Sequence, residues 1–207
     1  MRTAVIVLNG EYIPKRLSDG YIICADGGYK LLSRIGVVPD VILGDGDSIG
    51  EFSESIPSGV LRVHYPCDKD MTDGELCVRY AAKNGFSEIV LYGALGGRQD
   101  HVEANLALMA LAARLDMRAV AYDEDVEIHY IDRRFDTLEK KVKKNIFVSI
   151  VPFTSAAHII ETKGLKYPLN NVRVSKLSSL GISNVSVDEN IRIKIDKGSA
   201  LIFLNIK

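Results

Sequence analysis

Up to about Asp123 the chain alternates short apolar runs with helix-like segments. Residues 3–8, 21–25, 41–43, 61–65, 88–92 and 118–122 read as strands, and several of these runs are continuously apolar. Strands covered on both faces show that pattern. Helical periodicity lies between them, clearest at residues 28–35, 72–84 and 99–115. Alternation of this kind predicts an α/β unit with a mostly parallel sheet and flanking crossover helices. Past Asp123 the texture changes. Residues 126–131, 145–151, 158–161, 172–174, 191–195 and 200–206 read as short strands, punctuated by Gly, Asn, Asp and Pro. No strong long helix is expected there. The division is therefore 1–123 as an N-terminal α/β domain and 124–207 as a C-terminal all-β domain, a sandwich or a small barrel. A β unit that small buries limited apolar surface, so it is expected to lean on the first domain or on a second subunit.

Composition narrows the class without naming it. The 207 residues are 47% hydrophobic and 26% charged, an ordinary globular balance. The 26 basic and 27 acidic side chains leave a formal net charge of -1. No basic block suits a nucleic-acid surface. No stretch approaches the roughly 20 apolar residues that span a bilayer, and the N-terminal run "AVIVL" reads as a strand and not a signal peptide. Cys24, Cys67 and Cys77 are too few and unpaired in spacing for a disulfide framework. No CxxC or HExxH spacing supports zinc. A reducing, cytoplasmic setting is the simplest expectation.

The acidic residues, by contrast, are bunched. Asp45 and Asp47 directly follow the apolar run "VIL", and Gly44 and Gly46 leave the backbone open to a bulky ligand. If the chain stays extended there, residues at i and i+2 point to one side and the two carboxylates face one volume. A second cluster, "DKDMTD", holds Asp68, Lys69, Asp70, Thr72 and Asp73. Thr72 and Glu75 match a capping box, which starts a helix near Asp73 and lets it run to Asn84, with Gly85 as its stop. Two unpaired carboxylates about 4 Å apart cost roughly 4 kcal/mol at an effective dielectric of 20. Such acids either stay apart in water or share a cation, and an all-oxygen set suits Mg²⁺ with phosphate oxygens.

Two further loops stand at predicted strand ends. "GALGGRQDH" joins the strand at 88–92 to the helix at 99–115. Gly93, Gly96 and Gly97 permit tight turns, the helix N-terminus offers free N–H groups, and Arg98 can fork onto phosphate oxygens. Asp100 and His101 fall in the first helical turn, with Asn105 one turn beyond on the same face. The loop is neither GxGxxG nor a Walker sequence. In "CADGG", Asp26 ends a strand and Gly27-Gly28 open a helix. Asp26 can cap that helix or contact a nucleotide, and the sequence leaves both open. Ligands of open α/β sheets bind beyond the carboxyl ends of strands, so four polar loops at one edge point to a shared site.

Taken in order, "ADGG" at 25–28, "GDGDS" at 44–48, "DKDMTD" at 68–73 and "GALGGRQDH" at 93–101 with "AN" at 104–105 resemble the thiamine pyrophosphokinase family. The likeness continues more weakly in "TKGLKYPL" at 162–169 and "GISN" at 181–184. Two positions depart from the usual pattern. Gly46 stands where the family often has Phe, and Gly74 where an aromatic often follows the TD pair. The resemblance implies a homodimer of α/β nucleotide domains with β-sandwich domains, with 1–123 the ATP-binding catalytic domain and 124–207 the thiamine-binding one. It implies transfer of pyrophosphate from ATP to the thiamine hydroxyl, releasing AMP. It further implies Mg²⁺ held by Asp45, Asp47, Asp70 and Asp73. ATP would be contacted by Asp26, Gly27, Asp45, Ser48, Thr72, Gly97, Arg98, Asp100, His101 and Asn105. Lys69 and Arg98 would stabilise the transferred group, Asp70 or Asp73 would accept the hydroxyl proton, and Ser183 and Asn184 would contact thiamine. The chain has no Trp, so Tyr167 is a candidate aromatic wall for the cationic ring system. Three other readings share parts of these motifs: a pyrophosphokinase for another alcohol such as a hydroxymethyl pterin, a metal-dependent glycosyltransferase using D-x-D, and a non-catalytic nucleotide sensor.

Overall fold

The computed structural model describes residues 2–47, 56–66 and 70–206. Ser48 and Lys69 lie outside the described residues, as do Cys67 and Asp68. The chain divides into two compact units, Met1–Glu124 and Asp125–Lys207.

In the first unit the described strands are β1 (Thr3–Val7), β2 (Tyr21–Ala25), β3 (Val41–Gly44), β4 (Leu61–His64), β5 (Glu88–Tyr92) and β6 (Arg118–Tyr122). All adjacent pairs are parallel, in the order β6-β5-β1-β2-β3-β4. Helix α1 (Tyr29–Arg34) packs Leu31 and Leu32 with Val5, Val7, Ile42 and Val90. The alternate strand residues Ala4, Ile6, Ile23, Leu43 and Leu91 are just as buried. Period-two alternation sends them to the other face, where α2 (Asp73–Lys83) and α3 (Gln99–Arg114) supply contacts to the sheet. That double cover is why these strands read as continuous apolar runs. β4 is different: it is an edge strand, largely exposed along its length, with Leu61 50% exposed.

The topology contains one reversal. From β1 the chain proceeds through β2, β3 and β4 to one side, then returns to place β5 and β6 on the other. The carboxyl ends of β1 and β5 therefore flank a switch point, where successive loops diverge and leave a crevice.

The second unit is built from two antiparallel sheets. One contains β7 (Val126–Ile131), β9 (Phe147–Pro152), β12 (Asn184–Val185) and β14 (Ala200–Asn205), ordered β12-β9-β14-β7. The other contains β8 (Thr137–Lys141), β10 (Ala156–Lys163), β11 (Val172–Ser175) and β13 (Asn190–Lys197), ordered β11-β10-β13-β8. Alternate residues of both sheets, among them Val148, Ile150, Ile159, Val174, Ile193 and Ile202, form one core cluster. This is a sandwich and not a barrel. Two of its strands, β8 and β12, fall where the apolar pattern predicts none. β8 reads TLEKK and buries only Leu138, while β12 is two residues long. Among the described residues, no helix is long and apolar enough to cross a membrane.

Candidate active site

The site grows from glycines that let strand ends crowd together. A Cβ at Gly28 would lie 2.3 Å from the carbonyl oxygen of Val7, and one at Gly10 would lie 2.3 Å from that of Leu95. No side chain fits at either position, so the loops after β1, β2 and β5 run in contact past the sheet edge. Leu8 N–H continues the β1–β5 pairing by donating to Tyr92 O at 2.9 Å.

Together these loops and the start of α2 line a cavity of about 340 Å³. Its walls come from Leu8, Asn9 and Gly10 after β1, Ala25 and Gly27 after β2, Thr72, Asp73 and Gly74 at the head of α2, and Gly96, Arg98, His101 and Asn105 after β5. The cavity thus sits at the switch point. Of the residues expected at the nucleotide, Gly27, Thr72, Arg98, His101 and Asn105 meet there.

Thr72 is the N-cap of α2, and its hydroxyl accepts a bond from Glu75 N–H at 3.2 Å. The capping box thereby fixes Asp73 in the first turn, facing the cavity. Gly74 behind it is closely packed: a Cβ would lie 2.9 Å from Leu108 Cδ1 and 3.2 Å from Leu8 Cδ2. Two leucines fill the space that an aromatic at this position would need.

Asp26 is the first residue of the 3-10 turn Asp26–Gly28, whose N-cap is Ala25, and the N-cap of α1 is Gly28. The 3-10 turn at Asp26–Gly28 and α1 both lack a side-chain capping bond there. Asp26 is instead buried, and a carboxylate oxygen of each of Asp26, Asp45 and Asp47 lies within 4.8 Å of the others. The in-register pairing of Ala25 with Leu43 brings Asp26 beside Gly44. A Cβ at Gly44 would stand 2.5 Å from Asp26 Cβ and 3.1 Å from Asp73 Oδ2. Asp45 and Asp47 converge by a turn and not by the expected extended backbone. Gly46 has φ +88°, and Asp47 N–H donates to Asp45 Oδ1 at 3.2 Å. That φ favours glycine, which accounts for Gly46 in place of a bulky residue. Asp70 is exposed and does not belong to the three-carboxylate group. Carboxylates this close repel one another, less so where water reaches them, as it does Asp47. A hard divalent cation suits such an all-oxygen set.

The glycine loop carries its own charge pattern. Gly96 and Gly97 have φ +84° and +69°, and Gly97 N–H donates to Glu11 Oε1 at 3.1 Å. Arg98 forks onto Asp100, Nη2 to Oδ2 at 2.6 Å and Nε to Oδ1 at 3.2 Å. Both groups are solvent-exposed. The hydrogen bonds to Arg98, with its charge, hold the Asp100 carboxyl below its usual range, and the same bond holds the Arg98 guanidinium more firmly protonated. Asn105 has a bracing role, donating its side-chain N–H to Ala94 O at 2.9 Å and so fixing the loop.

Ser183 and Asn184 lie apart from these residues in the chain, on the second unit. Asn184 is buried and committed to backbone groups, accepting from Tyr167 N–H at 3.0 Å and donating to Tyr167 O at 2.6 Å. Ser183 is exposed with φ +56°, and its N–H donates to Ser149 Oγ at 3.0 Å. Tyr167 is exposed, with the Lys166 ammonium 5.4 Å from its ring centroid.

A crevice at the switch point of a parallel sheet, lined by a glycine loop and an arginine, with clustered carboxylates on neighbouring strand ends, defines an open α/β fold whose polar site suits phosphate groups. Comparison with known proteins makes the class specific. Residues 17–121 match the family model for the thiamin pyrophosphokinase catalytic domain, and residues 129–200 match that for the thiamin pyrophosphokinase vitamin B1 binding domain. The chain is 30% identical over 209 residues to the thiamine pyrophosphokinase of Bacillus subtilis, with 96% of each chain covered. It is 29% identical to thiamine pyrophosphokinase 1 of Oryza sativa, covering 84% of this chain and 75% of that one. The crystal structure of the Bacillus subtilis thiamine pyrophosphokinase superposes with a TM-score of 0.87 at 26% identity, all of both chains being covered. The crystal structure of yeast thiamin pyrophosphokinase, at 17% identity, shares the fold with a TM-score of 0.80 over 100% of this chain and 86% of that one. The chain belongs to the thiamine pyrophosphokinase family.

Proposed function

We propose that the crevice binds ATP with Mg²⁺ and passes its terminal pyrophosphoryl group to the hydroxyl of thiamine, giving thiamine diphosphate and AMP. The observation that carries this reading is the three-carboxylate group of Asp26, Asp45 and Asp47, with Gly44 close to both Asp26 and Asp73, the latter lining the switch-point cavity, in a chain of this family. The family match does not favour the pterin, glycosyltransferase and sensor readings.

Asp26, Asp45 and Asp47 would hold Mg²⁺, with Asp73 beside them. Bound there, the ion would neutralise charge on the polyphosphate and on departing AMP. Glu11 and Asp100 support the assignment of the phosphate path, because each carboxylate engages a group suited to a phosphate oxygen: the Gly97 N–H and the Arg98 guanidinium. ATP would exchange with both. The thiamine oxygen attacks the β-phosphorus, the bond from that phosphorus to the α,β-bridging oxygen breaks, and AMP leaves with the electron pair. The hydroxyl proton passes to a carboxylate, and Asp73, facing the cavity, is better placed than exposed Asp70. Positioning and charge compensation do most of this work, as in other phosphoryl transfers.

Thiamine recognition would fall to the second unit around Ser183 and Asn184, the Asn184 amide also holding the turn through the Tyr167 backbone. Phe147, Leu177, Leu180, Ile182 and Val187 are exposed in this region, a set suited to cover by a second copy of the chain. Free, buried Cys24 and Cys77 support a cytoplasmic setting. The deciding experiment incubates the full chain with MgATP and thiamine and follows AMP and thiamine diphosphate by chromatography. Equal release of AMP with a hydroxymethyl pterin would overturn the acceptor assignment, and no AMP with any acceptor would overturn the reaction.

A further inference from the structure

The outer face of the β11-β10-β13-β8 sheet is covered with charge, and over most of its area the charges are matched. Arg192 contacts Glu139 at 2.6 Å and Glu161 at 3.2 Å, Lys163 contacts Glu161 at 3.1 Å, and Lys194 contacts Asp136 at 3.7 Å. One end of the face breaks the rule. There, Arg173 on β11, His158 on β10 and Lys197 on β13 are direct cross-strand partners, forming a single row. Ala157, Ile159 and Val174, their chain neighbours, point into the core, so the row faces outward. Like charges placed opposite one another on a sheet repel. The one acid that the register brings to this row is Asp196. A shift in the β10–β13 pairing follows His158, and Asp196 Oδ1 lies 2.6 Å from His158 Nδ1. Neither Arg173 nor Lys197 has an ion-pair partner within 4 Å among the described residues.

The row is also concave. Arg173, His158 and Lys197, with Thr154 and Ser155, line a cavity of about 470 Å³. Lys176 adds a further positive charge at its edge, donating from Nζ to Phe153 O at 3.3 Å. Asp196 accepts at Nδ1 of His158, so the other ring nitrogen, Nε2, is left for another partner.

From this row we infer a second ligand site, separate from the nucleotide crevice, that takes a small phosphate-bearing anion, in particular a diphosphate. Arg173 and Lys197 grip its oxygens from either side, with the His158 ring between them. Two cationic side chains flanking one concavity suit a compact anion better than a nucleic-acid backbone.

The test is a titration of the full chain, with isotopically labelled histidine, by inorganic pyrophosphate without added metal. Sodium chloride of matched ionic strength is the control. The chain has four histidines, His64, His101, His129 and His158, and the His158→Gln variant assigns the resonance of interest. The expected result is a saturable shift of His158, weakened about tenfold or more in Arg173→Gln/Lys197→Gln, as loss of two charge-assisted contacts implies. Titration with inorganic phosphate and with thiamine diphosphate separates a one-phosphoryl site from one that prefers the diphosphate of an ester. Four outcomes overturn the inference: no shift at His158, an equal shift with chloride, a shift unchanged in the double variant, or a shift at His101 alone, which reports the nucleotide crevice.

Discussion

Arg98, which lines the switch-point cavity, and Asp100 grip each other through two bonds, 2.6 and 3.2 Å, while remaining open to water. An exposed pair of this kind contributes little to stability, so its geometry matters for what replaces it. Arg98→Gln is expected to lower kcat/KM for ATP by about 10–100-fold, through loss of a charge-assisted contact to phosphate oxygens. The thermal midpoint should stay that of the parent. Steady-state kinetics and a melting curve check both halves.

In the proposed reaction Glu11 would compete with a phosphate oxygen for the Gly97 N–H. Glu11→Gln keeps an acceptor for the Gly97 N–H but removes a negative charge from the phosphate path. The KM for ATP should fall by about 2–5-fold, a gain of roughly 0.5–1 kcal/mol. A rise in KM would instead make Glu11 a brace that the loop needs.

The carboxylate group makes a prediction with opposite signs in two measurements. Asp47→Asn should reduce turnover by about 100-fold or more, since altering groups merely hydrogen-bonded to metal ligands already costs roughly 10–100-fold. With chelator and no Mg²⁺, the same variant should melt higher than the parent, because one of three repelling charges is gone. Adding Mg²⁺ should raise the parent's midpoint and move the variant's little. Asp70→Asn, outside the group, should retain the parent's Mg²⁺-dependent midpoint shift.

Glu127, in the second unit, supplies a pH-dependent term of its own. It is buried on β7, 2.6 Å from His129 Nε2 and bonded to Lys140 Nζ. Burial alone would push its pKa up. Hydrogen bonds from His129 and Lys140 outweigh it and hold the group at about 2, against an ordinary 4.5. The folded-state pKa is depressed, so the carboxylate's contribution is present above about pH 4.5 and is lost as pH falls toward 2. Glu127→Gln should therefore unfold more easily at neutral pH, by up to about 3 kcal/mol. The gap from the parent should close across that acidic window in denaturant titrations.

The thiols give a further check. Burial raises the pKa of both Cys24 and Cys77, with the neighbouring Cys77 and Asp26 adding to the effect on Cys24 and Asp73 to that on Cys77. In a Cys67→Ser variant, neither remaining thiol should react with an aromatic disulfide reagent until denaturant unfolds the chain.

Local signals were readable wherever a single segment carries them. Thr72 and Glu75 announced the start of α2 because a capping box lies within four residues, and the apolar runs announced a buried parallel sheet. What depends on register was hidden. Nothing in "CADGG" shows that Ala25 pairs with Leu43, yet that pairing makes Asp26 a neighbour of Asp45 and Asp47. Asp70, two residues from the capping threonine, is left outside the group. Asn105 lies on the expected helix face, but its amide braces Ala94, a partner that helical spacing does not reveal. β8 was invisible for another reason: Thr-Leu-Glu-Lys-Lys is rich in helix-compatible, soluble residues, and its strand conformation comes from pairing with β13.

That same strand has a consequence for the life of the protein in a crowded solution. β8 closes one side of its sheet, and Glu139, Lys140 and Lys141 decorate a ladder that would otherwise invite a stray chain to add on. An incoming strand would have to strip water from those charges, so this border should resist the runaway stacking that produces fibrils. Replacing exposed Lys141 with threonine, with Lys140 kept on Glu127, would weaken that guard, leaving the fold intact while shortening the time to amyloid-dye fluorescence.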